Sequence, residues 1–333
     1  MTTKIAINGF GRIGRCTLRA VFESGRDDIE VVAINDLAPA DHLAHLLKYD
    51  SVHGTFQRDV SVDGDTLHVD GHAIRLTASP KPAELPWGDV DVALECTGRF
   101  NSRDQAAAHL ENGSKRVLVS APASKVDRTV VYGVNHQELT AEDVIVSNAS
   151  CTTNCLAPVA KVLDDAFGLS TGYMTTIHAY TGDQPSHDRD HSDLYRARAC
   201  ALSMIPTSTG AARAISLVLP HLEGRLEGSA IRVPTANVSL VDLSFMPERT
   251  ATVETVNAAI QNAANGALKG VLGYEEAPLV SSDFNHNPMS SIFAPAQTSV
   301  TSAGMVRVVS WYDNEWGFSN RMLDTAAHIS SLI

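Results

Sequence analysis

The chain has 333 residues, 44% hydrophobic and 19% charged, a globular composition that excludes a disordered or collagen-like chain and is long enough for two domains that each bury a core. Its formal net charge of −12 argues against nucleic acid or an anionic membrane as the main partner, since either would need a basic face. The N-terminus lacks a signal-peptide apolar core, and no run has the unbroken apolar length that spans a bilayer. The five cysteines are an odd number without metal-type pairing, so free thiols in the cytoplasm are expected, and no metal.

In chain order, the apolar run KIAIN (4–8) enters a glycine-rich turn and then a stretch of helical period over 14–25. IEVVAIN (29–35) reads as a second strand and 40–49 as a helix. Further strands are expected at 90–98, 115–121, 128–135 and 144–150, with a helix over NSRDQAAAHLENG between the first two. Strands that are almost continuously apolar and alternate with helices describe a parallel sheet covered on both faces. After residue 150 the pattern changes. A helix over CTTNCLAPVAKVLDDAFG leads to the strand-like GYMTTIHAYT, a polar stretch, the helix TGAARAISLVL, and long strands over 229–246 and 305–314. The fold class is α/β. An N-terminal Rossmann-type parallel sheet covers residues 1–149 plus 315–333, the latter holding the final helix. A second, α+β catalytic domain of mixed or antiparallel sheet covers 150–314.

NGFGRIGR supplies Gly9, Gly11 and Gly14 in G-x-G-x-x-G spacing between the first strand and its helix. The first glycine permits the tight turn, the second lets backbone approach a pyrophosphate, and the third lets helix pack on strand. Asp36 ends the second strand, about 20 residues on, where a carboxylate can accept hydrogen bonds from an adenosine ribose. That carboxylate repels a 2′-phosphate and Leu37 offers it no donor, so NAD is favoured over NADP, with Arg12 as a possible offset.

SNASCTTNC (147–155) places Cys151 and Cys155 one helical turn apart. A disulfide along one helix in a reducing compartment is disfavoured, and metal binding lacks ligands. Packing and reactivity remain. Ser150 is a natural N-cap, and Cys151 falls in the first turn, where free N–H groups and the helix dipole favour a thiolate. Cys155 sits a turn deeper, where packing explains it. The candidate base is His178, at the end of an apolar strand, but spacing alone does not bring it to Cys151.

These segments, together with PTSTGAA, RVPTANVSLVDL and SWYDNEWGFSN, stand in the order and spacing that resemble the phosphorylating glyceraldehyde-3-phosphate dehydrogenases, and the likeness covers essentially the whole chain. The resemblance implies Cys151 as nucleophile and His178 as its ion-pair partner and acid–base catalyst. It implies Thr181 and Arg232 around the substrate phosphate, with Asp183 in support, and Ser150, Thr152, Thr209 and Gly210 around inorganic phosphate, with Arg196 between the two. On the cofactor side it implies Arg12, Ile13, Asp36 and Ser120 as contacts to NAD, and Asn314 as the side chain that orients the nicotinamide amide. A homotetramer is implied too, with the polar stretch 181–201 reaching a neighbouring subunit.

The implied reaction converts glyceraldehyde-3-phosphate and inorganic phosphate to 1,3-bisphosphoglycerate, a step of glycolysis and gluconeogenesis. Thiolate attack gives a hemithioacetal whose hydroxyl loses its proton to His178 as hydride leaves, and the resulting thioester keeps the acyl group reactive until phosphate attacks. Pro80 with Lys81, and Arg189 with Asp190, depart from the family pattern and bear on cofactor choice; Cys96 replaces a common serine. The tail EWGFSNRMLDT and LVSSDFNHNP are similar to erythrose-4-phosphate dehydrogenase, the alternative reading, but PTSTGAA and HAYTGDQ are intact here and favour use of inorganic phosphate.

Overall fold

The computed structural model describes residues 2–333, which divide into two compact units. The first comprises 1–132, 136–149 and 319–333; the second comprises 133–135 and 150–318.

The first unit is built on a nine-stranded sheet. From one edge its strands run Arg128–Thr129, Ile145–Ser147, Arg116–Val119, Val92–Glu95, Thr3–Asn8, Ile29–Asn35, His72–Thr77, Thr66–Val69 and Val60–Asp63. The seven strands from Arg128–Thr129 to His72–Thr77 pair in parallel, and the last two pairings are antiparallel. The central strands carry Ile5, Ala6, Ile7, Val92, Ala93 and Leu94, all fully buried, as a sheet covered on both faces requires. The order reverses at Thr3–Asn8, whose neighbours Ile29–Asn35 and Val92–Glu95 lead to opposite sides, so a crevice opens at their carboxyl ends.

Two details differ from the sequence reading, and one lies over residues 60–77, where it assigned no element. The edge hairpins over 60–77 carry no long apolar run and alternate instead, as a half-exposed antiparallel edge does. The helix over NSRDQAAAHLENG is two short turns, Arg103–Ala106 and Ala108–Glu111. The strand at 128–135 is reduced to two residues.

The second unit holds an eight-stranded mixed sheet. Leu169–Ala179 lies between Leu226–Val233, parallel to it, and Ser239–Pro247, antiparallel, and the latter pairs with Val306–Tyr312. The helices Cys151–Phe167, Ala211–Val218 and Val253–Asn265 pack together. The sequence reading had one strand over 229–246. The structure breaks it, because Pro234 cannot donate to a ladder and Val238 takes φ +69°, so two strands leave the break in different pairings. Among the described residues no helix is long and apolar enough to cross a membrane.

Candidate active site

In the first unit the glycines divide their work by sterics. Gly9 has φ +92°, and a Cβ there would lie 2.7 Å from Thr97 N, so only glycine makes this turn. A Cβ on Gly14 would collide with the Gly9 carbonyl oxygen. Gly11 is the opposite case: nothing stands within 4 Å of where its Cβ would be, and the Arg12–Glu23 helix begins there without a side-chain cap. Open backbone and the positive end of a helix dipole together make a cradle for a pyrophosphate.

Asp36 closes the other side of the crevice. Its Oδ2 accepts Phe10 N at 2.7 Å and its Oδ1 accepts Ala38 N at 3.0 Å, which fixes the carboxylate while each oxygen keeps a lone pair for ribose hydroxyls. The cleft, about 320 Å³, is lined by Gly9, Gly11, Asp36, Leu37, Pro80 and Thr97 among others. Arg12 is bonded to Asp50. Burial opposes ionisation of Asp50, but Arg12 and the His53 and Val52 N–H groups outweigh it and bring the carboxyl down to about 2, so the Arg12 charge is already committed. Ile13 is half-buried in the first helical turn. Ser120 donates its N–H to Glu95 O at 2.9 Å, and its hydroxyl meets the Cys96 thiol, which burial pushes up to about 12. Lys81 pairs with Glu84 at 2.7 Å, and Arg189 and Asp190 are exposed.

A buried polar chain beneath the cleft was not legible in the glycine motif. Thr77 Oγ1 donates to Asn35 Oδ1 (3.0 Å), Asn35 Nδ2 to Asn8 Oδ1 (2.7 Å), and Asn8 Nδ2 to Glu95 Oε2 (2.6 Å). Glu95 also meets His109 Nε2 at 2.9 Å and accepts Thr97 N at 2.9 Å. The signal available was positional: Asn8, Asn35 and Glu95 each end a strand at the point where the sheet order reverses.

In the second unit the thiol and the imidazole meet. Ala149 takes φ +56°, Ser150 caps the helix by accepting Thr153 N at 3.0 Å, and Cys151 is the first helical residue. Its Sγ lies 3.5 Å from His178 Nε2. His178 Nδ1 sits 2.7 Å from the Ala179 carbonyl, which can only accept, so Nδ1 carries the proton and Nε2 faces the sulfur with its lone pair. The strand register sets Arg232 beside His178. Arg232 Nη1 donates to the same Ala179 carbonyl at 3.0 Å and lies 3.0 Å from Nδ1. With Nδ1 protonated, that last contact is two donors sharing one acceptor. Tyr312 completes the floor: its ring is edge-on to His178, and its hydroxyl joins Thr152 Oγ1 and Thr176 Oγ1, each at 2.9 Å.

A helix start alone was expected to favour the thiolate. The structure adds a stronger opposing influence. Burial pushes the Cys151 thiol up, with Arg232 and the first-turn N–H groups drawing it back down. Burial, and then the Arg232 charge, hold His178 down at about 3. Each group alone therefore prefers to be neutral, so an ionised pair could form only jointly, by passing the proton from Sγ to Nε2.

The residues expected around the two phosphates fall into two sets. Arg196 donates Nε to Thr207 Oγ1 at 3.1 Å and Nη1 to Asp183 at 3.2 Å, with Asp193 at 3.7 Å, so Asp183 balances Arg196 in this state. Thr181 opens the turn that Gln184 N closes onto its carbonyl. Arg232 Nε is buried and has no hydrogen-bond partner among the described residues. Gly210 is the N-cap of Ala211–Val218, and Thr209 Oγ1 accepts Ala211 N at 3.1 Å. The Ser150 and Thr152 hydroxyls are occupied by the helix cap and by Tyr312. Asn314 Oδ1 accepts from Ser239 Oγ at 2.8 Å. Sequence reasoning missed Tyr312 and Ser239, since each acts through partners far away in the chain.

Residues 3–103 match the family model described as the glyceraldehyde 3-phosphate dehydrogenase NAD binding domain, and residues 150–314 match its C-terminal domain. The glyceraldehyde-3-phosphate dehydrogenase of Cereibacter sphaeroides is 65% identical over 333 residues, covering 100% of both chains. That of Xanthobacter flavus is 64% identical over 334 residues at the same coverage. The chromosomal enzyme of Cupriavidus necator is 60% identical over 99% of each.

Proposed function

Because the chain belongs to the glyceraldehyde-3-phosphate dehydrogenase family, we propose that it oxidises glyceraldehyde-3-phosphate with NAD and inorganic phosphate to 1,3-bisphosphoglycerate. The observation that carries this reading is the 3.5 Å approach of Cys151 Sγ to an unprotonated His178 Nε2, in a chain that also carries a complete dinucleotide cradle. The cradle suits NAD: Gly11 leaves room for pyrophosphate, and the Asp36 carboxylate favours a free ribose 2′-hydroxyl over a phosphate.

Cys151 gives its proton to His178 and adds to the aldehyde carbon, and the resulting hydroxyl gives up its proton to the same imidazole, once that is neutral again. Bound NAD supplies the hydride acceptor. The acyl group stays on sulfur as a thioester, which phosphate oxygen attacks; the C–S bond breaks and the thiolate returns. Arg232, with its spare Nε donor, is assigned with Thr181 to the substrate phosphate, and the Asp183–Arg196 pair opens to admit an anion. Thr209 and Gly210, at a helix start, are assigned to inorganic phosphate together with Ser150 and Thr152 at the start of the Cys151–Phe167 helix. Asn314 is assigned to the nicotinamide amide.

Assembly as a homotetramer fits the apolar side chains around the 181–201 stretch. Leu194, Leu202 and Met204 are 80%, 81% and 76% exposed, more apolar surface than one segment of a monomer usually leaves in water. Five free cysteines fit a reducing cytoplasm.

The test follows NADH formation with glyceraldehyde-3-phosphate or erythrose-4-phosphate, each with and without inorganic phosphate. Phosphate-dependent turnover of the triose is expected. Faster turnover of the tetrose, or indifference to phosphate, would overturn the reading.

A further inference from the structure

The hydrogen bond between Ser239 and Asn314 carries information that the position of Asn314 alone does not. Ser239 is 1% exposed and opens the Ser239–Pro247 strand immediately after Val238, whose φ is +69°. Its register partner is Tyr312, two residues before Asn314. The Ser239 Oγ accepts the Ala179 N–H at 3.0 Å and lies 2.8 Å from Asn314 Oδ1.

A serine hydroxyl has one proton to give. Ala179 N is a donor and cannot take it, so the proton goes to Asn314. The Asn314 group facing Ser239 must then be its carbonyl oxygen, and its Nδ2 must face the other way. Among the described residues no protein group bonds Nδ2, although Asn314 is 5% exposed.

We infer that Ser239 is a positioning residue that fixes the polarity of the nicotinamide subsite. By holding Oδ1, it makes Asn314 a hydrogen-bond donor, matched to the carbonyl oxygen of a carboxamide and mismatched to its NH2. The inference rests on the assignment of Asn314 to the nicotinamide amide. It adds the reason the Asn314 side chain does not turn over: an Asn314 amide flipped by 180° would leave the Ser239 proton without an acceptor inside the protein, at a cost that buried unpaired donors carry. The same hydroxyl anchors Ala179, whose carbonyl holds His178 Nδ1 and Arg232. One side chain thus ties the imidazole tautomer and the cofactor donor to a single proton arrangement.

The test is a double-mutant cycle on binding, read as the ratio of the Kd for NAD to the Kd for ADP-ribose, which lacks the nicotinamide. Ser239→Ala is expected to raise that ratio about five- to tenfold, the effect of losing one oriented hydrogen bond. Asn314→Ala is expected to raise it at least as much, and the double variant no further than Asn314→Ala alone. A purely structural role for Ser239 would move both Kd values together and leave the ratio unchanged, which would overturn the inference, as would full additivity. An unchanged ratio in Asn314→Ala would instead remove the Asn314 assignment and this inference with it. Should Ser239→Ala not fold, Ser239→Cys keeps the volume while weakening the bond, and a raised ratio is expected there too.

Discussion

The two units build their candidate sites from different materials. In the first, the cradle is mostly backbone: a turn that only Gly9 can make, an open approach at Gly11, and an uncapped helix start. In the second, the candidate reactive centre is side chains brought together by strand register and by a helix packed on the sheet, with Cys151, His178, Arg232 and Tyr312 drawn from four elements. A backbone site depends on absent atoms, so adding a methyl group damages it. A side-chain site depends on present atoms, so removing one damages it, and the damage falls on chemistry more than on folding.

The sharpest break between the two should come from Cys151→Ser. Turnover is expected to fall by about three orders of magnitude or more, while dinucleotide binding, measured by fluorescence titration, stays within about twofold. Substantial residual turnover would contradict the nucleophile assignment. The next largest effect is expected from His178→Asn, with turnover falling about 10²-fold or more. The pH dependence of Cys151 alkylation tests the sign. Thiolate forms as pH rises, and loss of the imidazole removes the proton acceptor while burial still pushes the thiol up. The alkylation curve should therefore move to higher pH, and a curve that stays in place would dissolve the pairing.

Gly14→Ala works in reverse. Its Cβ meets the Gly9 carbonyl, so a stability loss of about 1–3 kcal/mol and weakened dinucleotide binding are expected. Calorimetry and titration measure the two, and an unaltered affinity would show that the helix can slide without cost. Smaller still is the contribution of Asp50. Its carboxyl is held at about 2 against an ordinary 3.8, so the associated stability is present above pH 4 and is lost as pH falls through 2. The loss is about 1 kcal/mol once solvent screening is allowed for. Asp50→Asn should flatten that part of the stability curve; an unchanged acid limb would remove Asp50 from the account.

Legibility in the sequence follows the same division. The glycine spacing and Asp36 could be read directly because each acts within one β-α-β span, where local sterics decide. The Ser150 cap and Cys151 at a helix start were readable for the same reason. His178 was visible only as a candidate, since its approach to Cys151 depends on how a helix packs beside a sheet. Tyr312, Ser239 and the Asn8–Asn35–Glu95 chain left little trace beyond a place at a strand end, because the bonds that join them to one another or to the site span 27 to 160 residues. The break at Pro234 to Val238 was hidden inside an alternating pattern that reads equally well as one strand.

That break has a consequence for anyone seeking a hardier protein. Val238 is β-branched and sits in the left-handed region at 3% exposure, among Phe284 and Ile292, an arrangement whose strain is of the order of 1–3 kcal/mol. Glycine would relax the backbone there but empty the packing around it. The usual first choice of the thermostability engineer therefore sits one peptide bond from Ser239, where relief of tension and loss of alignment would arrive in the same substitution.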